Sequence, residues 1–392
     1  MPADQRPQTN ARVIERYLNR RANAEDVLKV TTSVIGNSDL EGAFACMKAM
    51  QEAGVAPDVI TYNALISACG KSGQVERALG VFKEMRDAGI APNVITYNAL
   101  ISACEKASQA EWALKVFEEM RKAGIAPDVI TYSALISACE KAGQAKQALE
   151  VFKEMQDAGI APDVITYSAL ISACEKAGQA ERALGVFDDM RNAGIAPNVI
   201  TYNALISACK KAGQPEWALK IFKDMRTARI APDVITYSAL ISVCEKGGRP
   251  AEARELLKEA VSDRVFQPSL GYDEKTNSID FHLNCLLVAS PVDARTGGVP
   301  ADVAQVLFDH HLALGHVSSA TKFVVGQHGE GVLKEAIAQR MQAQGWTAAE
   351  GISHGQANPG LLVVARNLTQ AAPSASTLNA AAKEFVPTWL RR

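Results

Sequence analysis

The sequence predicts an all-α solenoid of helix-turn-helix repeats, followed by a small α/β domain. The first observation is a period of 35 residues, in which Val-Ile-Thr-Tyr returns at six places. These six repeats begin at Val59, Val94, Val129, Val164, Val199 and Val234. The second observation is that the period is lost after Pro268, where strand and helix patterns alternate instead.

Composition and charge exclude several classes of protein. The net charge of −2 and pI near 6.3 argue against a general polyanion binder, because such a protein needs clustered Lys and Arg. No stretch approaches the roughly 20 uncharged apolar residues of a membrane-spanning helix, so no membrane partner is expected. Six of the eight cysteines recur at one repeat position, which indicates packing rather than a metal cluster, and no metal or cofactor is predicted. They are Cys69, Cys104, Cys139, Cys174, Cys209 and Cys244.

Two segments precede the repeats. Residues 1–23 contain five arginines and few acids, a composition that we interpret as a targeting segment. Residues 24–58 are interpreted as a degenerate capping repeat, because Asp39 to Asp58 match the second helix and turn of the later units.

Each repeat is predicted to contain two amphipathic helices. In the first, apolar residues of repeat 1 fall at i, i+3, i+4 and i+7, at Tyr62, Leu65, Ile66 and Cys69. A helix stop follows at Gly73, and the second helix ends before Gly89. The apolar face of the second helix consists of Ala78, Leu79, Phe82 and Met85. Two such helices cannot bury their apolar faces alone, so the repeats are expected to stack.

A polar ridge lies opposite the apolar stripe of the first helix. In repeat 1 it consists of Asn63, Ser67 and Lys71, spaced four residues apart. Its lysine recurs in every repeat and is predicted to follow a phosphate backbone. A solvated helix C-terminus, where Lys is favoured by the helix dipole, is the alternative interpretation. This lysine row consists of Lys71, Lys106, Lys141, Lys176, Lys211 and Lys246.

Variation between the repeats is concentrated at two positions. The fifth residue alternates between Asn and Ser, while the residues on either side of it never change. It reads Asn63, Asn98, Ser133, Ser168, Asn203 and Ser238. The closing residue of repeats 1 to 5 alternates between Asn and Asp, as Asn93, Asp128, Asp163, Asn198 and Asp233. Short hydrogen-bonding side chains of this kind can address the edge of a base.

The repeated VITYNALISAC segment and the 35-residue period resemble the pentatricopeptide repeat family over residues 59–269. The resemblance implies a right-handed superhelix that binds single-stranded RNA, one base per repeat, in organellar RNA processing, stabilisation or translation. It also implies a location in mitochondrion or chloroplast. The tetratricopeptide repeat, which binds peptides, has a 34-residue period and a Trp-Leu-Gly-Tyr pattern that is absent here.

The resemblance assigns roles to three positions of each repeat. The fifth and closing residues together choose the base, and the second residue sandwiches it. The second residues are Ile60, Ile95, Ile130, Ile165, Ile200 and Ile235. By this pairing, repeats 1 to 5 imply cytosine or uracil, uracil, guanine, adenine and uracil, a core of 5′-(C/U)UGAU-3′. Repeat 6 has one residue added before Pro268, and its base is unassigned.

The region after the repeats is predicted to be an α/β domain. Residues 270–277 are interpreted as a linker, 278–370 as the domain and 371–392 as a flexible tail. The predicted strands are Ser278–Phe281, Thr321–Val325 and Leu361–Ala365. The predicted helices lie near Ala301–Leu314 and over Val332–Gln344.

A candidate site lies at the ends of two of these strands. Asp280 and His282 share one face of the first strand, and a glycine-rich turn with Gly326 and Gly329 precedes a helix, where phosphate can bind. A plain turn and a structural histidine also fit this pattern.

These residues, with Ile279–His282 and Asn358–Val364, resemble the Smr (small MutS-related) domain. The resemblance implies an endonuclease in which His282 acts as general acid or base and Asp280 orients it. Leu283 departs from the family, which commonly has Gly after this histidine.

Three functions therefore follow from the sequence. The leading hypothesis is a sequence-selective RNA-binding protein that recruits RNA-processing proteins or protects a transcript. The alternatives are an RNA endonuclease that uses the Smr-like domain, and a protein-binding scaffold.

Overall fold

The computed structural model describes residues 40–52, 54–267, 272–273, 278–280, 301–317, 321–324, 332–343, 346–353 and 356–366. The chain divides into two compact units, Met1–Ala204 and Leu205–Arg392. The predicted targeting segment, the first part of the capping repeat and the C-terminal tail lie outside the described residues.

The first unit consists of paired helices. Helix α1 belongs to the predicted capping repeat, and each later pair forms one repeat. The helices are α1 Leu40–Glu52, α2 Val59–Lys71, α3 Val75–Asp87, α4 Val94–Lys106, α5 Ala110–Lys122, α6 Val129–Lys141, α7 Ala145–Asp157, α8 Val164–Lys176 and α9 Ala180–Asn192. Helix α10, Val199–Lys211, contains the boundary between the units.

The second unit begins with further helical repeats and ends with a segment that contains both strands and helices. Its repeat helices after α10 are α11 Pro215–Thr227, α12 Val234–Lys246 and α13 Pro250–Ser262. The predicted all-α repeat array is therefore confirmed, while its superhelical hand stays a prediction. None of the described helices is long and apolar enough to cross a membrane.

The helix ends follow from local backbone chemistry. After α3, Gly89 adopts φ +74°, and the N–H groups of Ile90 and Gly89 donate to the carbonyls of Met85 and Arg86. This pair of bonds is the Schellman motif that ends helices at a left-handed residue. Arg229 occupies the equivalent position of repeat 5 at φ +59°, a conformation that costs a side chain energy.

The residues of the core recur with the 35-residue period of the sequence. The tyrosine at the fourth position of a first helix packs edge-on against a phenylalanine of the preceding second helix, as in Phe82 and Tyr97, with centroids 5.5 Å apart. The six periodic cysteines are buried, and burial raises the pKa of the Cys139 thiol to about 11. The thiols therefore remain protonated and pack as small apolar groups, as predicted.

The described residues in the last part of the second unit form a five-stranded sheet and two helices. The helices are α14 Ala301–Ala313 and α15 Val332–Ala343. The strands are β1 Tyr272–Asp273, β2 Ser278–Asp280, β3 Lys322–Val324, β4 Trp346–Ser353 and β5 Gln356–Arg366. Their order is β1-β2-β3-β5-β4; β2 and β3 are parallel and the other pairs antiparallel.

This sheet differs from the sequence prediction at two places. Strand β1 lies inside the stretch interpreted as a linker, where Tyr272 pairs with Ile279. Strand β4 was not predicted, because its sequence WTAAEGIS has no regular apolar alternation. The strand forms through its hydrogen bonds with β5.

Candidate nucleic-acid interface

The closing residue of repeats 1 to 5 is the N-cap of the next first helix. Asp128 has extended backbone, and its Oδ1 accepts a 2.9 Å hydrogen bond from the backbone N–H of Thr131. The backbone N–H of Asp128 in turn donates to the Thr131 hydroxyl, which completes a capping box. The same arrangement forms at Asn93, Asp163 and Asp233.

This cap gives the closing position a structural constraint that the sequence analysis missed. Asp and Asn are among the preferred N-cap residues, so their alternation has a local cause besides any contact with RNA. The spacing from Asp or Asn to Thr three residues later, as in Asp128 and Thr131, was the available signal.

In repeats 1 to 3 the structure brings the two variable positions of a repeat together, although 30 residues separate them. Asn98 Nδ2 donates to Asp128 Oδ1 over 3.1 Å. The corresponding contacts are 3.4 Å between Asn63 and Asn93 in repeat 1, and 3.5 Å between Ser133 and Asp163 in repeat 3. We call the fifth and closing residues of one repeat its polar pair. Asn203 and Ser238 occupy the same helical position in repeats 5 and 6.

In three repeats, the fifth residue is in contact with a threonine hydroxyl of the next repeat. Thr131 Oγ1 lies 2.6 Å from Asn98 Oδ1, Thr166 Oγ1 lies 2.7 Å from Ser133 Oγ, and Thr201 Oγ1 lies 2.8 Å from Ser168 Oγ. These threonines are fully buried, whereas the closing residues are half-buried. The fifth residues of repeats 2, 3 and 4 are therefore each in contact with a buried hydroxyl.

Asp128 is ionised at neutral pH. Burial opposes its charge, but hydrogen bonds from the Thr131 backbone, the Thr131 hydroxyl and the Asn98 amide outweigh burial and lower its pKa. The pair in repeat 2 therefore presents a carboxylate that only accepts hydrogen bonds.

The second residue of every repeat is an exposed isoleucine. Ile130 is 61% exposed, and the other five are between 59% and 61% exposed. Since the second and fifth residues are i and i+3 on one helix, each isoleucine lies on the face that carries its polar pair. In the first unit, the isoleucines of repeats 1 to 5 form a regular apolar row along the first helices, with the polar pairs beside it.

The lysines of this row are exposed, but some of their charges are compensated by acidic side chains. Lys141 Nζ lies 2.8 Å from Glu105, and Lys176 Nζ lies 2.7 Å from Glu140, each glutamate belonging to the preceding repeat. In the second unit Lys246 lies 3.3 Å from Asp302 of α14. Lys141 and Lys176 are thus paired with the glutamate that comes just before the lysine of the preceding repeat, and Lys246 is paired with an aspartate of α14. A phosphate contact from the row stays a prediction.

The candidate site of the C-terminal part is only partly described. Asp280 ends β2 and pairs in register with Val324, which ends the parallel strand β3, so the two strands end at one edge of the sheet. His282, Gly326 and Gly329 lie outside the described residues. The nuclease roles of Asp280 and His282, and the phosphate role of the glycines, stay predictions.

Comparison with known proteins identifies the repeats. The family model for the pentatricopeptide repeat domain matches residues 34–72, 45–107, 81–142, 115–177, 150–212 and 185–247, and the PPR repeat model matches 235–265. No curated protein matches the sequence.

Several solved structures are similar to the chain. The crystal structure of PPR10 in complex with an 18-nucleotide psaJ RNA element is 22% identical, with a TM-score of 0.40, over 87% of this chain and 53% of that one. PPR10 from maize is 19% identical, with a TM-score of 0.41, over 86% of this chain and 53% of that one.

A third similar structure is the PPR domain of Arabidopsis thaliana protein-only RNase P 1 in complex with tRNA. It is 20% identical, with a TM-score of 0.41, and the match covers 45% of this chain and 94% of that one. The chain spans about half the length of the PPR10 chains that it matches. Because the family models together cover residues 34–265, more than half of the 392 residues, the chain belongs to the pentatricopeptide repeat family.

Proposed function

We propose that the repeats bind single-stranded RNA and that repeats 1 to 5 each select one base, with the core 5′-(C/U)UGAU-3′. The observation that carries this proposal is the contact between the fifth and closing residues, such as Asn98 and Asp128. Two positions that vary between similar repeats lie side by side, next to an exposed isoleucine. Membership of the pentatricopeptide repeat family supports the same function.

The closing residue distinguishes bases by their ring nitrogen. A carboxylate only accepts hydrogen bonds, so Asp128 and Asp163 suit bases whose Watson–Crick edge carries a ring N–H, which are uracil and guanine. An amide also donates, so Asn93 and Asn198 suit cytosine and adenine, whose ring nitrogen accepts.

The fifth residue distinguishes bases by size. Asparagine is longer than serine and reaches a pyrimidine, whereas serine leaves room for the larger purine. Together with the closing residue, Asn98 and Asp128 select uracil, and Ser133 and Asp163 select guanine. Ser168 and Asn198 select adenine by the same reasoning.

Stacking and charge complete the binding mode. The exposed isoleucines bury apolar surface against the faces of the bases. Since Lys141 and Lys176 are already paired with glutamates, RNA phosphates compete with carboxylates for them. The proposal therefore includes a weaker salt dependence than an uncompensated basic groove has.

The test exchanges one polar pair for another that the chain already contains. Asn98→Ser creates the serine and aspartate pair of repeat 3, so the second base should change from uracil to guanine. Binding of the four oligonucleotides 5′-CNGAU-3′, each in an unstructured flank, measures the change. Asn192→Ser makes the same substitution at an exposed residue that ends α9 and should leave all preferences intact. Unchanged preference in Asn98→Ser contradicts base selection.

The remaining functions stay predictions from resemblance. An endonuclease requires that His282→Ala abolish cleavage of RNA that carries the core, and equal fragment patterns contradict it. A protein-binding scaffold is favoured if single-stranded RNA fails to bind at low salt, where phosphate contacts are strongest. The organellar location is tested by imaging the full chain fused to a fluorescent protein.

A further inference from the structure

We propose that the threonine at the third position of a first helix is a positioning residue for base selection by the preceding repeat. This inference rests on the proposed function and deepens it. It applies to Thr131, Thr166 and Thr201, whose hydroxyls contact the fifth residues of repeats 2, 3 and 4.

Burial separates these threonines from any bound base. Thr131, Thr166 and Thr201 are 0% exposed, beneath the half-buried closing residues Asp128, Asp163 and Asn198. A base cannot reach the hydroxyls, so they act only through the side chains above them. The polar pair is in effect a triad whose third member belongs to the next repeat.

In repeat 2 the threonine fixes an amide. Asn98 Oδ1 lies 2.6 Å from the Thr131 hydroxyl, while Asn98 Nδ2 donates to Asp128 over 3.1 Å. With both ends of the amide held, one N–H of Nδ2 remains to address a ligand in a defined direction. Without the hydroxyl, Asn98 Oδ1 loses its partner, and an unpaired amide oxygen near a carboxylate favours rotation of the side chain.

In repeat 3 the threonine fixes a hydroxyl. Thr166 Oγ1 lies 2.9 Å from Asp163 Oδ1 and 2.7 Å from Ser133 Oγ, and its single proton serves the carboxylate when Ser133 donates its own proton to Thr166. The lone pairs of Ser133 then remain as acceptors for the base. The threonine thus decides whether the serine donates or accepts, which is the property that distinguishes one base edge from another.

The junction between repeats 1 and 2 provides the contrast. Thr96 makes the same capping contacts, with its N–H and hydroxyl each 3.1 Å from Asn93 Oδ1. Among the described residues, however, the buried Oδ1 of Asn63 has no hydrogen-bond partner, and Asn63 is held by one 3.4 Å bond to Asn93. Thr96 therefore caps a helix without holding the fifth residue, and the two roles of the threonine can be separated.

The experiment compares Thr131→Val with Thr96→Val in the full chain. Both remove a hydroxyl from a capping box and should lower the thermal midpoint, Thr131→Val by more, because it also leaves Asn98 Oδ1 without its partner. Only Thr131→Val should relax selection, with the preference for uracil at the second base falling roughly three- to tenfold, as expected for one hydrogen bond. Selection at the third and fourth bases should be unchanged. Thr131→Ser restores a hydroxyl and should restore the preference.

A second site guards against a variant that does not fold. Thr166→Val should relax selection of guanine at the third base alone. The inference is overturned if the folded valine variants keep the wild-type preferences, or if Thr96→Val relaxes selection at the first base as strongly as Thr131→Val does at the second. A wild-type chain that binds the RNA with no preference at any position contradicts the proposed function itself, and with it the role of the threonines.

Discussion

The first and second helices of the repeats are joined to their neighbours by different physics. Across the first helices, hydrogen bonds to a buried threonine connect this threonine, a cap and a fifth residue, as in Thr131, Asp128 and Asn98. Across the second helices, exposed ion pairs make the connection, as between Arg121 and Glu154 at 3.0 Å. The arginine also lies over Phe117, 5.8 Å from the ring centroid.

The sequences of the two helices reflect this difference. A buried polar group must keep its partner, so the fifth residue of the first helices varies only between Asn and Ser. An exposed position has no such requirement, and the third residue of the second helix changes freely. It reads Arg77, Trp112, Gln147, Arg182, Trp217 and Glu252. Restriction to a few residue types therefore marks buried hydrogen bonding as well as function.

The largest effect is expected from Asp128→Ala on the first-helix side. The change removes the N-cap of α6 and leaves the Asn98 amide and the Thr131 backbone N–H without their acceptor, so stability should fall by about 1–2 kcal/mol. Denaturant unfolding measures the loss. Asp128→Asn retains the cap, as Asn93 does in repeat 1, and should lose much less; equal losses in the two variants would show that the cap contributes little.

Removal of one exposed isoleucine should weaken RNA binding without affecting stability. Ile130→Ala truncates a side chain that is 61% exposed, so unfolding should change by less than about 0.5 kcal/mol. Affinity for the RNA core should fall roughly three- to tenfold through lost apolar contact. Trp112→Ala is the matched control, because Trp112 is 44% exposed but lies on the second helix. The affinity of this variant for the RNA core should equal that of wild type. Equal affinity losses in both variants would contradict a binding face made by first helices.

The charged cap should produce a pH dependence that the amide cap lacks. The folded-state pKa of Asp128 is lowered from 3.8, so its ionisation stabilises the fold above that value and the contribution is lost as pH falls below about 4. As pH falls from 7 to 3, wild type should therefore lose stability relative to Asp128→Asn. A constant difference over this range would show that Asp128 is not preferentially ionised in the fold.

The smallest effect is expected on the second-helix side. Glu154→Gln breaks the ion pair with Arg121, whose side chain is 50% exposed, and should cost less than about 0.5 kcal/mol. Unfolding at low and at high salt checks this, since salt should remove the remaining difference. A loss of stability as large as that of Asp128→Ala would contradict the contrast between the contacts of the first helices and those of the second helices.

Much of the fold could be predicted from local patterns. The apolar spacing of Tyr62, Leu65 and Ile66 predicted the first helices, and Gly89 predicted a helix end, because both depend on a few neighbouring residues. Strand β4 could not be predicted, because its hydrogen bonds come from β5 and its own residues carry no pattern. Strand β1 depends in the same way on its pairing with β2.

The candidate site was predicted in part. The positions of the polar pairs were predicted from variation between repeats, whereas the capping role of Asp128 and the ion pairs of Lys141 were not. The cap had a sequence signal, which was the spacing to Thr131. The ion pair had a weaker one, since Glu105 approaches Lys141 only when one repeat stacks on the next.

By itself, the sequence determined the period, the two helices of each repeat and the residues that vary, because these are set within one 35-residue unit. Only the tertiary structure decided which of these residues touch. Asn98, Asp128 and Thr131 come from two repeats, and the stacking of those repeats joins them into one hydrogen-bonded group. Contacts across a junction depend on the geometry of packing, which no single repeat encodes.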